Sequence, residues 1–281
     1  MADDWFTSVL INSYEKALAL LQVRPTAEPQ RSHLGRSTLS GPVLNARGQR
    51  CWLRIGASMA DWKEHARGFW TGAELADEIK GVAKPALLGV RDWIEKKDNA
   101  ECVVKATLMT EAPSPVCSEE LALLRQVNLG DEWLKTMRSS LDALAAWPTE
   151  RQSIPPGTIR PAILMVCGTR IDSTVARWTT AHADMHWCNV TAPVCCILDW
   201  ESWGLAPAGF DAATLYCSSL LVPSVAERIF ETFRDVLETH DGVVSQLLAA
   251  QHLLSRIEYG EHAELADPLH DLIARLVQQG K

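Results

Sequence analysis

Between residues 4 and 22 the apolar side chains fall at Trp5, Phe6, Val9, Leu10, Ala17, Leu18 and Leu21. That spacing predicts an amphipathic helix, closed before Pro25. The pattern then changes period. Residues 31–56 carry two glycines, an Asn-Ala-Arg-Gly turn and the alternating segment CWLRI, which predict two or three antiparallel strands. Residues 60–80 return to helical spacing, with Trp70, Ala73, Leu75, Ala76 and Ile79 as the apolar stripe. ALLGV after Pro85 and CVVKATLM read as a hairpin around the polar tip EKKDNAE at 95–101. EAPSPVCSEE then reads as a linker. Beyond it the pattern predicts helices at 118–127 and 131–147 and four more after 209, interrupted at 178–204 by loop, strand, turn and strand. The sum is an α+β chain: a small sheet-bearing lobe at 1–111, then a larger, mainly helical lobe at 112–281.

Composition narrows the class. The 281 residues are 47% apolar and 22% charged, the balance of a globular chain. The longest apolar runs, such as PAILMVC at 161–167, are too short to span a bilayer, and the N-terminus is acidic where a signal peptide is basic. No membrane partner and a cytoplasmic location are expected. The 35 acidic and 27 basic residues leave a net charge of −8, which argues against a nucleic-acid partner. The 8 cysteines include the adjacent Cys195 and Cys196 within an apolar run, and reduced thiols are expected.

The candidate chemistry sits in WTTAHADMHWCNVTAPVCCILDWESWG at 178–204. A zinc site built on His182, His186 and Cys188 lacks two parts. The position after the first histidine is Ala183 rather than glutamate, and no second Cys-x-x-Cys pair closes the site. As His182-x-Asp184-x4-Asn189 the same residues have the spacing of a phosphoryl-transfer loop. An aspartate accepts or orients the proton of an attacking hydroxyl. An asparagine places an amide oxygen on magnesium, and a second carboxylate bridges that metal to the phosphates. Val194–Leu198 is an apolar segment, expected to be a strand, that delivers Asp199 at its end. The bland alternative is three polar residues on a solvated loop.

HADMHWCN followed by ILDWESWGLAPAGFDAATL resembles the aminoglycoside phosphotransferase and choline kinase group of small-molecule kinases. The resemblance is specific over about 180–215. It implies a bilobal protein-kinase-like fold and transfer of the γ-phosphate of ATP or GTP, with Mg2+, to a hydroxyl of a small molecule, an antibiotic such as an aminoglycoside included. It implies Asp184 as base or orienter, His182 as its support, and Asn189 and Asp199 as metal ligands. Asp211 would tie a helix to the catalytic loop. CWLRI becomes the third strand, Glu74 lies on the helix that pairs with it, and Leu108–Ala112 is the adenine-reading hinge, which brings in Met109, Glu111 and Ala112. Two departures stand out: Arg54 occupies the place of the expected strand-three lysine, and GRSTLSG has glycines only at its ends. Because of them a catalytically inactive, kinase-like binding module is the alternative function. His186 and Cys188 are given no role, and the tryptophans at 187, 200 and 203 are read as packing.

Overall fold

A computed structural model describes residues 2–31, 37–59, 67–97, 100–168, 171–258 and 262–279. The chain divides into two compact units, Met1–Asp77 with Pro85–Ala112, and Glu78–Lys84 with Pro113–Lys281.

The first unit is an antiparallel sheet with one helix packed on it. Helix α1 spans Ala2–Leu20. The short strands β1 (Arg24–Pro25) and β2 (Gln30–Arg31) both pair with β3 (Thr38–Leu44). β4 (Arg50–Met59) follows, then helix α2 (Arg67–Ala76), then the hairpin β5 (Leu87–Lys97) and β6 (Ala100–Thr110). The strand order is β1-β3-β4-β6-β5. Residues 32–36, 60–66 and 98–99 fall outside the described residues. They include Gly35 of the thin glycine segment, the start of the expected 60–80 helix and the centre of the hairpin tip.

Strand alternation builds the core. Leu53, Ile55 and Ala57 of β4 and Cys102, Val104, Ala106 and Leu108 of β6 face α1, where Val9, Leu10, Tyr14 and Ala17 cover them. The opposite face therefore carries Trp52, Arg54 and Gly56 from β4 and Lys105 and Thr107 from β6. The Asn45–Gly48 turn is set by its own chemistry. The Asn45 side-chain oxygen accepts from the amides of Arg47 (2.9 Å) and Gln49 (3.0 Å), and Gly48 takes a positive φ of 74°.

The second unit is helical around an irregular centre. It holds α3 (Asp131–Ala145), α4 (Pro156–Cys167), β7 (Trp178–Ala181), a 3-10 turn at Trp187–Asn189 and β8 (Gly204–Pro207). Then come α5 (Phe210–Cys217), α6 (Pro223–Thr232), the single turn α7 (Arg234–Leu237), α8 (His240–Glu258) and α9 (Ala266–Gln279). β7 and β8 form an antiparallel pair, Trp178 opposite Pro207 and Ala181 opposite Gly204. No helix among the described residues is long and apolar enough to cross a membrane.

Three expectations are corrected. Residues 118–127 form no helix. Leu121, Ala122 and Leu123 are buried in irregular backbone whose hydrogen bonds go to other segments, Leu123 N–H to the Ser218 carbonyl (2.8 Å) among them. Bonds to Ser218 and Trp187 take the place of a local ladder there. Val194–Leu198 is not a strand but makes one isolated bridge, Val190 with Ile197. PAILMVC belongs to α4, a helix the sequence pattern did not single out. In α2 the predicted stripe holds at Ala76, while Leu75 is 47% exposed.

Leu10 is fully buried beneath the sheet. Leu10→Ala should destabilise the protein by about 3 kcal/mol, the usual result of a partly collapsed cavity. Urea unfolding monitored by circular dichroism measures it. A loss below ~1 kcal/mol would mean that α1 is not part of this core.

Candidate functional site

The second unit's chemistry is organised by one carboxylate. Asp211, in the first turn of α5, accepts the amide of His182 at Oδ2 (2.6 Å) and that of Ala183 at Oδ1 (2.8 Å). Burial pushes the Asp211 carboxyl up. The charge of His182 and the two amides pull the other way without cancelling that push. Gly209 sets the entry to α5: its φ is +88°, and a Cβ there would come within 2.8 Å of Val236 Cγ1.

Pinned by these two bonds, the chain after β7 turns sharply. Ala183 is held at φ +64°, a left-handed conformation that costs a residue with a Cβ about 1 kcal/mol. His182 is fully buried, and its Nε2–H donates to the Leu198 carbonyl (2.8 Å). Its ring meets Trp200 edge-on at 4.8 Å between centroids. This bond holds the backbone just before Asp199. Asp199 is itself at φ +60°, a conformation aspartate tolerates better than most residues.

Asp184 and Asn189 are locked together. The Asn189 side-chain amide donates to the Asp184 carbonyl (2.9 Å) and to Asp184 Oδ2 (3.2 Å). The Leu198 amide donates to the Asn189 carbonyl (2.8 Å), which brings the segment carrying Asp199 alongside Asn189. His182, Asp184, Asn189 and Asp199 are thereby joined through direct hydrogen bonds and one adjacent backbone step.

His186 also belongs to this group. Its Nε2 lies 3.3 Å from Asp184 Oδ1 and 3.3 Å from Asn189 Nδ2. Burial works to raise the Asp184 carboxyl. The His186 contact and the charges of His186, His182 and His252 more than reverse this, and the group is held below its ordinary range. Asp184 is thus set as a carboxylate at neutral pH, with 44% of its side chain exposed.

The flanks of the loop are tied down by backbone. The Cys117 amide donates to the Val190 carbonyl (2.8 Å) and the Ala192 amide to the Pro115 carbonyl (3.1 Å). The Ile197 amide donates to the Ala83 carbonyl (2.7 Å), and Trp133 Nε1 donates to the Thr191 carbonyl (2.7 Å). Trp187, Trp200 and Trp203 are buried, as packing residues. Arg151 stacks over Trp203 and donates to the carbonyls of Glu201 and Trp203.

A resident zinc does not fit this chemistry. His182 Nε2 is already given to a carbonyl, and burial pushes the Cys188 thiol up to about 12, away from the thiolate that zinc binds. Among the described residues no three His, Cys, Asp or Glu side chains are grouped as a metal cage. Magnesium fits better. It is satisfied by one or two protein oxygens completed by water and phosphate. Asn189 carries an amide oxygen beside the nitrogen engaged with Asp184, and Asp199 is an exposed residue alongside it.

The first unit holds the remaining predicted residues. Glu111 forms a bidentate pair with Arg50, with Nη2 at 2.7 Å from Oε1, and the Arg50 hydrogen bond keeps Glu111 below the ordinary carboxylate range. Met109 and Ala112 are half-buried at the end of β6 and just beyond it. Arg54 lies mid-strand opposite Thr107. Glu74 of α2 meets Lys105 of β6, a residue the sequence reading gave no part. The signal was present: one lysine stands inside the apolar run CVVKATLM, where a charge is costly unless paired.

The sequence matches no family model and no curated protein. Solved structures do match. Aminoglycoside phosphotransferase APH(4)-Ia aligns over 96% of this chain and 99% of its own, with TM-score 0.59 and 11% identity. The fold is the bilobal, protein-kinase-like fold. The macrolide 2'-phosphotransferase MphH from Brachybacterium faecium aligns over 93% and 98%, with TM-score 0.52 and 12% identity. The amicoumacin kinase hAmiN, solved with AMP-PNP, Ca2+ and Ami, aligns over 95% and 93%, with TM-score 0.50 and 12% identity.

Three variants test the loop's anchor. Asp211→Ala leaves two buried amides without an acceptor and should destabilise by about 2–4 kcal/mol, with Asp211→Asn intermediate because it keeps one oxygen. Ala183→Gly should stabilise by about 1 kcal/mol by relieving the left-handed strain. Equilibrium denaturation of the three variants checks both. A neutral Asp211→Ala would remove the carboxylate from its anchoring role.

Proposed function

We propose that this protein is a small-molecule phosphotransferase that moves the γ-phosphate of ATP or GTP to a hydroxyl group. The observation that carries this reading is the mutual fixing of Asp184, Asn189 and Asp199 by His182 and Asp211. Three oxygen-bearing side chains with those roles, held in one rigid loop, are what phosphoryl transfer needs, because its catalysis is positioning and charge neutralisation.

In this reading the acceptor hydroxyl approaches Asp184. The carboxylate orients the hydroxyl and takes its proton as the new P–O bond forms and the bond to the leaving nucleoside diphosphate breaks. Asn189 and Asp199 hold Mg2+, which when bound neutralises phosphate charge. His182 keeps Asp199's segment in register with Asp184, and Ala183 gives the turn that exposes the Asp184 carboxylate. In the first unit, Arg54 and Glu74 support the triphosphate, while Met109, Glu111 and Ala112 form the adenine-reading stretch.

The named neighbours are phosphotransferases and a kinase for aminoglycoside, macrolide and amicoumacin substrates. An antibiotic-like acceptor bearing a hydroxyl is therefore the first substrate class to examine. A kinase-like module without turnover has no chemical need of Asp184, Asn189 and Asp199 together.

Asp184→Asn keeps shape and most hydrogen bonding but removes charge and basicity. It should bind ATP with magnesium as the wild type does and lose about 10²–10⁴ in kcat, the usual worth of a positioned acid–base group. ADP release across a panel of hydroxylated antibiotics and metabolites, with calorimetric ATP titration, measures both. Unchanged kcat would remove Asp184 from the chemistry. Wild-type protein that neither binds ATP or GTP nor turns over on any acceptor would support the inactive module.

A further inference from the structure

β4 and β6 are neighbours, paired with Arg54 opposite Thr107 and Gly56 opposite Lys105. Residues directly opposite in an antiparallel pair point to the same face. Leu53, Ile55 and Ala57 occupy the α1 side, so Arg54, Gly56 and Lys105 share the other. On that face the Lys105 ammonium pairs with the Glu74 carboxylate. Asp92 Oδ1 lies 3.8 Å away and the Trp70 ring centroid 5.7 Å away. Only 9% of the Lys105 side chain is exposed.

Gly56 completes the arrangement. It has no positive φ, and a Cβ built on it would meet nothing within 4 Å. Neither backbone conformation nor crowding demands glycine there. Its consequence is an open place on the strand directly across from Lys105.

In phosphoryl transfer of this kind, a lysine on the third strand pairs with a helix glutamate and steadies the α- and β-phosphates. β4 occupies that strand's place and carries no lysine. Resting on the phosphotransferase reading above, we propose that Lys105 is the phosphate-binding cation, supplied from β6 across the strand pair, with Gly56 leaving the room it uses. The chemistry suits the part. An ammonium has three donors, so Glu74 can hold one while the others remain for phosphate oxygens. A buried ion pair is by itself a weak stabilising device, so holding α2 to the sheet gives little reason to bury this charge. Arg54, diagonal to Lys105 on the same face, then adds a second cation and does not replace the lysine.

The test is a strand swap. ATP affinity in the presence of magnesium is measured by titration calorimetry, and basal ADP release by a coupled assay. The proteins are wild type, Lys105→Ala, Lys105→Met, the double variant Lys105→Ala with Gly56→Lys, and Asp199→Ala. Both single Lys105 variants should weaken ATP binding or kcat/KM for ATP at least 30-fold. The double variant, which returns a lysine to the same face from β4, should recover at least tenfold. Lys105→Met keeps the packing of the stem and decides the matter if the alanine variant does not fold. Folded Lys105→Met with wild-type ATP affinity and turnover would overturn the proposal, as would a double variant no better than Lys105→Ala. If Asp199→Ala loses ATP while the Lys105 variants keep it, the lysine assignment fails and the phosphotransferase reading stands. If wild type binds neither ATP nor GTP, both fall.

Discussion

The second unit depends on a carboxylate that accepts two consecutive backbone amides. Asp211 costs free energy to bury, and the amides of His182 and Ala183 offset much of that cost. The return is geometric. Two adjacent amides can share one carboxylate only if the chain bends sharply, and Ala183 pays for the bend with a left-handed φ. Without that bend the residue after Ala183 would continue the direction of β7. With it, Asp184 is turned out of the strand and its carboxylate reaches the loop's far side.

The same economy runs through the rest of the loop. His182 uses its amide to hold α5 and its ring to hold the carbonyl before Asp199, so one residue ties Asp211 to the backbone that carries Asp199. Asn189 uses its nitrogen on Asp184, which leaves the oxygen for other use, and its carbonyl takes the Leu198 amide. These bonds fix orientation, while His182 Nδ1 and His186 Nδ1 are buried without a hydrogen-bond partner. Fixed orientation of this kind would suit the proposed phosphoryl transfer, whose barrier is lowered by placement of charge more than by covalent chemistry.

The hydrogen-bonded loop at 182–189 was legible in the sequence because its spacing is local. His182, Asp184 and Asn189 lie within one short loop, and a spacing pattern records such a loop directly. Asp211 followed from the same stretch. The fold order was also readable, since strand alternation at CWLRI and the hairpin after Pro85 are period-two signals that tertiary packing reinforced. What was not legible depends on contacts between distant segments. Residues 118–127 have helical spacing, yet their backbone bonds to Ser218 and Trp187 replace the helical ladder. Val194–Leu198 is apolar enough for a strand but has a partner only at one bridge. Lys105 escaped for a related reason. A search along one strand for its lysine finds Arg54, while strand register, which sequence spacing does not record, puts the ammonium beside Glu74 from the next strand.

His186 sits between two neighbours that ask different things of one ring nitrogen. Its Nε2 lies equally near Asp184 Oδ1 and the Asn189 amide nitrogen, and these neighbours make opposite demands. Toward the carboxylate it must donate, and toward the amide it must accept. One nitrogen can satisfy only one of them at a time. With a proton on Nε2 the imidazole strengthens the negative form of Asp184. Without it, the ring can accept from Asn189 only by sharing a hydrogen that already goes to Asp184. Burial works against the charged form of Asp184, and the His186 contact is the first of the effects that reverse this. In the proposed phosphotransfer this ring would sit beside the carboxylate that meets the acceptor hydroxyl, held there by its contacts with Asp184 and Asn189.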